Sequence, residues 1–155
     1  GVSNVTRHHI TGDDDPWFSE HVATSERVLA DVPCSGSGAW RRAPTQKWLL
    51  TPERLEELVA LQQKIMTQAA DLVIPGGRLI YATCSVLPSE NEDQITWFLE
   101  SHPDFKALPV PKIWQAAVGT DCPATDSIGD TYLSLTPARH DTDGFFAAVL
   151  EKTHH

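Results

Sequence analysis

The 155-residue sequence predicts an α/β fold in which parallel strands are joined by crossover helices and the chain closes with an antiparallel hairpin. Three observations predict it. Two short apolar runs, at 27–31 and 78–82, each give way to a cysteine, Cys34 and Cys84. A long segment between them repeats its apolar residues every three or four positions, as a helix does. Two runs rich in apolar and β-forming residues, at 131–136 and 145–150, end the chain. The length suits one domain, since compact domains most often run to roughly 100 to 150 residues.

In order along the chain, residues 4–10 are short and partly β-branched and are stopped by Thr11-Gly-Asp-Asp-Asp-Pro16, so they read as a strand and a loop. The run at 27–31 ends in Asp31 with Pro33 just beyond, as expected of a buried parallel strand that delivers its C-terminal end to a site. Cys34-Ser-Gly-Ser-Gly38 is then a flexible loop, and Arg41, Arg42 and Lys47 interleave with Trp40 and Trp48 in a basic aromatic patch. Thr51 offers a capping hydroxyl before Pro52 at the first helical position, and Glu53, Glu56 and Glu57 complement the positive end of the helix dipole. Leu55, Leu58, Val59, Gln62, Ile65, Met66, Ala69, Leu72 and Val73 form its packing stripe, which Pro75-Gly-Gly77 ends. Helix, Gly-Gly and the strand at 78–82 make one half of a right-handed βαβ crossover.

Ser89 with Glu92 three residues on spells a capping box, and Ile95, Phe98 and Leu99 give the next helix its face before Pro103. Residues 103–130 show no sustained period and read as a long irregular connection. The runs at 131–136 and 145–150 are short enough in their connection for a hairpin with a longer loop. His154 and His155 read as natural residues or a tag remnant and are set aside, which leaves 1–153 as the domain.

Composition narrows the function. The chain is 41% apolar and 21% charged, with no apolar run near the roughly 20 residues that a membrane helix needs. No basic segment followed by an apolar stretch and a small-residue cleavage site opens it, so no secretory signal is expected in the chain as given. Three cysteines without a CxxC spacing make neither a disulfide framework nor a zinc knuckle, and the expected setting is reducing and cytoplasmic. His8, His9, His21, His102 and His140 lack metal-ligand spacing, so no metal is expected. A net charge of -9 argues against a self-sufficient nucleic-acid binder, because phosphate contacts supply much of that affinity. The acidic clusters at Asp13 to Asp15, Glu53 to Glu57 and Glu90 to Asp93 read mostly as solvated helix starts and loops.

Cys34 and Cys84 fall just beyond the C-terminal ends of neighbouring parallel strands, where open α/β sheets place their ligands. An isolated cysteine reads as a small buried hydrophobe, and Cys122 takes that reading. The other two sit in longer matching motifs. Asp31-Val-Pro-Cys-Ser-Gly-Ser-Gly38, with Arg41-Arg-Ala-Pro-Thr-Gln-Lys-Trp48 after it, resembles the fourth motif of the Sun (Fmu) family of RNA cytosine-5 methyltransferases. Tyr81-Ala-Thr-Cys-Ser-Val-Leu-Pro-Ser-Glu-Asn-Glu92 resembles that family's sixth motif, and Thr142-Asp-Gly-Phe-Phe-Ala147 its closing hairpin. The resemblance runs in order from about Asn4 to Leu150 and is nearest to the bacterial small-subunit ribosomal RNA enzymes.

The resemblance implies part of a class I (Rossmann-like) methyltransferase fold, supplied from its third strand onward, with S-adenosylmethionine as cofactor and RNA, ribosomal RNA above all, as partner. The chain has neither a glycine-rich turn after a first strand nor an acidic residue ending a second, elements that cradle such a cofactor. The family's basic N-terminal RNA-binding region has no counterpart either. The expectation is therefore a fragment that is inactive alone and that self-associates through a free strand edge. The resemblance further implies a covalent mechanism with Cys84 as nucleophile, Cys34 resolving the adduct and Asp31 holding the base edge. Asp13, Asp31 and Pro33 would face the cofactor, although the triplet Asp13 to Asp15 leaves the register open between that role and a charged surface turn. A helix opening at the Ser89 capping box would favour thiolate at Cys84. Arg41, Arg42 and Lys47 would meet RNA phosphates, with Trp40 or Trp48 as stacking faces; an ordinary surface with Trp packed inward is the alternative. Ser35 and Ser85 lack a Gly-x-Ser-x-Gly elbow and suggest no hydrolase. Transfer RNA as substrate, or a non-catalytic folded module, are the competing functions.

Overall fold

The computed structural model describes residues 3–123, 125 and 131–154. Its centre is a mixed sheet in which β1 (Ser25–Asp31) pairs in parallel with β2 (Val73–Thr83). The last strand, β5 (Phe145–Lys152), lies antiparallel on the other side of β2. Beyond it, β3 (Phe105–Leu108) is antiparallel to β5, giving the order β1-β2-β5-β3, and the short β4 (Leu133–Leu135) also pairs with β5. This is the predicted α/β architecture, and the hairpin of β4 and β5 is where the sequence places it.

The crossover between β1 and β2 carries α2 (Pro44–Leu49) and α3 (Pro52–Leu72). Thr51 caps α3 by accepting from the Arg54 amide at 3.2 Å, and Pro52 needs no partner for the amide it lacks. The helix buries Leu58, Gln62, Met66, Ala69, Ala70 and Leu72. Met66, Ala69 and Ala70 join Ala30, Leu79, Tyr81, Phe98, Phe146 and Leu150 in one core, where each large side chain contributes about 1.5–3 kcal/mol by leaving water. The helix ends at Leu72, before the Pro75-Gly-Gly77 that the sequence offers as its stop. The reason is outside the helix: the amides of Ala23 and Thr24 donate to the carbonyls of Asp71 and Leu72 at 2.8 and 3.1 Å, occupying its last turn. Val73 is already extended, and β2 passes through Pro75 and Gly77 with a register shift against β1.

Three expectations are corrected. The strand at 27–31 is parallel but not buried: among the described residues β1 lies at the edge of the sheet, where Ala30 is buried and Leu29 is 67% exposed. Residues 4–10 form no strand; they are exposed, and among the described residues no strand lies beside them to take their backbone hydrogen bonds. They lead instead into a one-turn helix, α1 (Pro16–Glu20). The stretch 103–130 is not irregular throughout. It contains β3, whose pairing with β5 stabilises four residues too few to show a pattern, and α5 (Val110–Val118), which ends at Gly119 in the left-handed region with φ 76°. Residues 124 and 126–130 of that stretch lie outside the described residues. Two further helices, α4 (Glu92–Ser101) and α6 (Pro137–His140), complete the chain.

Candidate active site

Parallel pairing sets the two cysteine motifs side by side. Asp31 pairs with Ala82, and the Val32 amide extends the ladder by donating to the Ala82 carbonyl at 3.2 Å. Two residues later on each strand the chain turns away, and the sulfurs of Cys34 and Cys84 come to 3.3 Å from each other. Neither is in a disulfide. The loops are then tied across: the Gly38 amide donates to the Cys84 carbonyl at 2.9 Å. Gly36 turns the first loop with φ 65°, in the left-handed region that favours glycine; a Cβ there would also displace the end of the Gln46 side chain.

The two thiols differ. Cys84 is exposed, whereas Cys34 is half-buried. Burial pushes the Cys34 thiol up to about 12, and the adjacent Cys84 sulfur adds to the rise, against the opposing pull of the Gly36 amide. Cys34 is thus a neutral thiol around pH 7, in contact with the more accessible sulfur.

The capping box expected at Ser89 and Glu92 does not form. Pro88–Glu90 make a 3₁₀ turn, α4 starts only at Glu92, and its N-cap is Asn91, with no side-chain cap. The Asn91 side chain is used instead inside the site, where it accepts from Thr83 Oγ1 at 2.7 Å and donates to the Ser85 carbonyl at 3.0 Å.

Beneath the cysteines lies a polar cluster that sequence reasoning missed. Glu90, grouped above with solvated acids, is fully buried at 0% exposure. One of its oxygens accepts from the Ser35 amide at 2.8 Å and from Gln62 Nε2 at 3.0 Å; the other accepts from the hydroxyls of Ser35 and Ser85, both at 2.5 Å. Ser37 donates to or accepts from Ser85 at 2.9 Å, and the Val86 amide donates to Ser37. Gln62, placed by its spacing on an apolar stripe, also donates to the Pro33 carbonyl at 2.9 Å. Tyr81 completes the cluster by donating to the Glu90 carbonyl at 2.7 Å. The signal available in the sequence was the repetition Cys-Ser at both strand ends.

The other predicted residues divide. Asp31 and Pro33 are exposed at the mouth of β1. Asp13 is exposed and forms an ion pair with Lys64. Of the triplet it is Asp15 that turns inward, accepting from the amides of Thr11 and Trp17 at 2.9 and 3.0 Å and pairing with His8 at 3.0 Å. Those amides hold its carboxyl well below the usual carboxylate range. A cleft of about 620 Å³ is lined by Asp13, Lys64, Leu29 and the flank of α3, and by neither Asp31 nor Pro33, so the three candidate cofactor residues are not gathered in it. Arg42 is bound to Asp143 at 2.6 Å, with Arg41 4.0 Å from the same carboxyl. Lys47 lies 5.9 Å from the ring centres of both Trp40 and Trp48. Trp48 is 81% exposed and offers an open face, while the indole nitrogen of Trp40 is buried. Cys122 is half-buried, away from the paired thiols in sequence and element.

Comparison with known proteins places this arrangement. Residues 3–151 match the family described as 16S rRNA methyltransferase RsmB/F. The ribosomal RNA small subunit methyltransferase B of Shewanella oneidensis is 42% identical over 142 residues, 92% of this chain and 30% of that protein. The probable ribosomal RNA small subunit methyltransferase B of Synechocystis sp. is 39% identical over 137 residues, 88% of this chain and 29% of that protein. The crystal structure of PH0851, 36% identical, superposes with a TM-score of 0.77 over 90% of this chain and 29% of that one. The chain therefore spans about 30% of the length of the curated relatives it matches.

Proposed function

The chain belongs to the 16S rRNA methyltransferase RsmB/F family, and from that premise we propose that the protein carrying it methylates carbon 5 of a cytosine in ribosomal RNA through a covalent adduct with Cys84. The observation that carries the reading is the pair of sulfurs 3.3 Å apart at the mouths of two adjoining parallel strands. A lone nucleophile needs no second thiol in contact; addition followed by elimination uses both.

Carbon 5 of cytosine is too weak a nucleophile to take a methyl group unaided. Cys84, the exposed sulfur, adds to carbon 6, and the electron pair released toward the ring makes carbon 5 enamine-like. Asp31, exposed at the mouth of the adjoining strand, holds the base edge and stabilises the ring as it gains a proton. S-adenosylmethionine, when bound, supplies a methyl group on a cationic sulfur for carbon 5 to attack. Of the residues assigned to it, Asp31 and Pro33 lie exposed at the mouth of β1, where a carboxyl and an apolar ring would face such a ligand, while Asp13 stands apart in the cleft beside Lys64.

Cys34 then takes the proton from carbon 5, the bond between carbon 6 and the Cys84 sulfur breaks, and the double bond returns. The electrostatics favour this order. The Cys34 thiol is held protonated chiefly by burial and in part by the neighbouring Cys84 sulfur; once Cys84 is bonded to carbon its part is gone, so Cys34 ionises more readily at the step that needs a base. Arg41, Lys47 and the open face of Trp48 form the flanking RNA contact. The test is to map methylcytosine in small-subunit ribosomal RNA and transfer RNA from cells with and without the gene. Loss of one ribosomal site supports the reading; loss confined to transfer RNA, or no loss, defeats it.

A further inference from the structure

Glu90 is the residue in this fold whose placement the chemistry above leaves unused. Its carboxyl group is wholly buried, yet it accepts four hydrogen bonds, all from the two cysteine loops or the helix behind them. The symmetry of these bonds is informative. Each cysteine is followed by a serine, and both serine hydroxyls converge on the same Glu90 oxygen at 2.5 Å, leaving their own oxygens 3.4 Å apart. The other oxygen clamps the Ser35 amide and Gln62 Nε2, which also reaches the Pro33 carbonyl. One side chain therefore holds the loop after β1, the loop after β2 and α3 in a single register. Fixing residue 35 to residue 85 fixes the residues before them.

We propose that Glu90 is the positioning residue of the paired thiols: by gathering Ser35 and Ser85 on one carboxyl oxygen it sets the separation of the Cys34 and Cys84 sulfurs. The proposal rests on the reading of those cysteines as a working pair. It acts through shape, and the hydrogen-bond inventory says how to separate shape from charge. The Ser35 amide and Gln62 Nε2 can only donate, whereas the two hydroxyls can donate or accept. A glutamine at this position can keep its oxygen toward the first pair and turn its amide to the hydroxyls, so Glu90→Gln preserves the clamp without the acid. Glu90→Ala removes all four acceptor contacts, and Ser35→Ala with Ser85→Ala removes the converging arms while leaving the buried acid and the Ser35 amide bond.

The experiment uses the full chain and a fluorogenic dibromobimane, which emits only after its two bromomethyl carbons have alkylated two neighbouring thiols, bromide and a thiol proton leaving each time. Cys34→Ser and Cys84→Ser serve as blanks, and circular dichroism reports folding. Glu90→Gln is expected to bridge within about twofold of the unsubstituted chain, and the Ser35→Ala, Ser85→Ala double variant to bridge roughly tenfold more slowly, the factor that one hydrogen bond to a charged group is worth. Glu90→Ala, where folded, falls at least as far. The idea is overturned if the folded double variant bridges at the original rate, or if Glu90→Gln loses bridging as Glu90→Ala does, which would make the acid's charge the agent. No RNA or cofactor is present, so this outcome is independent of whether the protein methylates ribosomal RNA.

Discussion

Gly38 and Gly144 meet backbone to backbone, with the Gly144 amide donating to the Gly38 carbonyl at 2.9 Å. The start of β5 is thereby fastened to the first cysteine loop, whose Gly38 amide in turn holds the carbonyl of Cys84. A Cβ on Gly38 would collide with the Gly144 carbonyl, which cannot swing aside. Gly38→Ala should therefore cost on the order of 1–3 kcal/mol, as overpacking does, and lower the melting temperature. Gly12→Ala is the control: nothing lies within 4 Å of a Cβ there, and its melting curve should barely move.

Cys84→Ala in the full-length protein should abolish methyl transfer, because it removes the exposed sulfur that adds to carbon 6 and leaves Cys34 without the thiol it touches. Cys34→Ala should let the methylated base form and stay tethered through Cys84. Denaturing gels with labelled RNA decide between them; a Cys34→Ala protein that accumulates no RNA-linked band would refute this division of labour.

The Cys34 thiol sits above its ordinary value of 9.0, at about 12. The folded state therefore favours the neutral thiol, and the linked stability is intact below about pH 9 and is lost as pH rises toward 12. Urea melts at about pH 8 and about pH 10.5 should show the advantage of the unsubstituted chain over Cys34→Ser shrinking at the higher value. An advantage that is constant or grows with pH would contradict the assignment.

Arg42 already spends its charge on Asp143, while Arg41 and Lys47 are less committed. Replacing Arg41 or Lys47 by Ala in the full-length protein should weaken RNA binding and reduce the salt slope by about 1 each. Arg42→Ala should reduce it less, and Asp143→Asn should raise affinity. Filter binding over a salt series reads all four.

Tyr81→Phe keeps the ring in the core and removes the hydroxyl that donates to the Glu90 carbonyl at 2.7 Å. The carbonyl loses its partner in a buried place, so unfolding free energy should fall by about 1–2 kcal/mol. A neutral outcome in calorimetry would mean that water reaches the Glu90 turn.

Elements whose own pattern suffices are legible in the sequence, and those that depend on a neighbour are not. Thr51-Pro52 and the stripe through Met66 announce α3 without help, and the run ending at Ala82 is apolar because β2 lies inside the sheet between β1 and β5, with Leu79, Tyr81 and Ala82 buried. β3 has four residues and takes its bonds from β5, so nothing local marks it. For α5 the signals were present, with Pro111 in its first turn and Gly119 at its end, but the surrounding prolines hid them. In the site, the cysteines were legible because their motifs are long. Glu90 was not, since an acid near a helix start is usually solvated and only the tertiary convergence of Ser35, Ser85 and Gln62 makes burial tolerable.

β5 is the last strand among the described residues and occupies the middle of the sheet, bonded to β2, β3 and β4 at once. As the protein is synthesised, β2 and β3 leave the ribosome with no edge in common, and the strand that unites them is made only after both. The sheet therefore cannot be completed step by step as the chain emerges; its interior closes in one late event when residues 145–152 arrive. Until then the flank of β2 that will receive β5 is an open template, and the wait for these eight residues leaves that flank free to pair with a stranger.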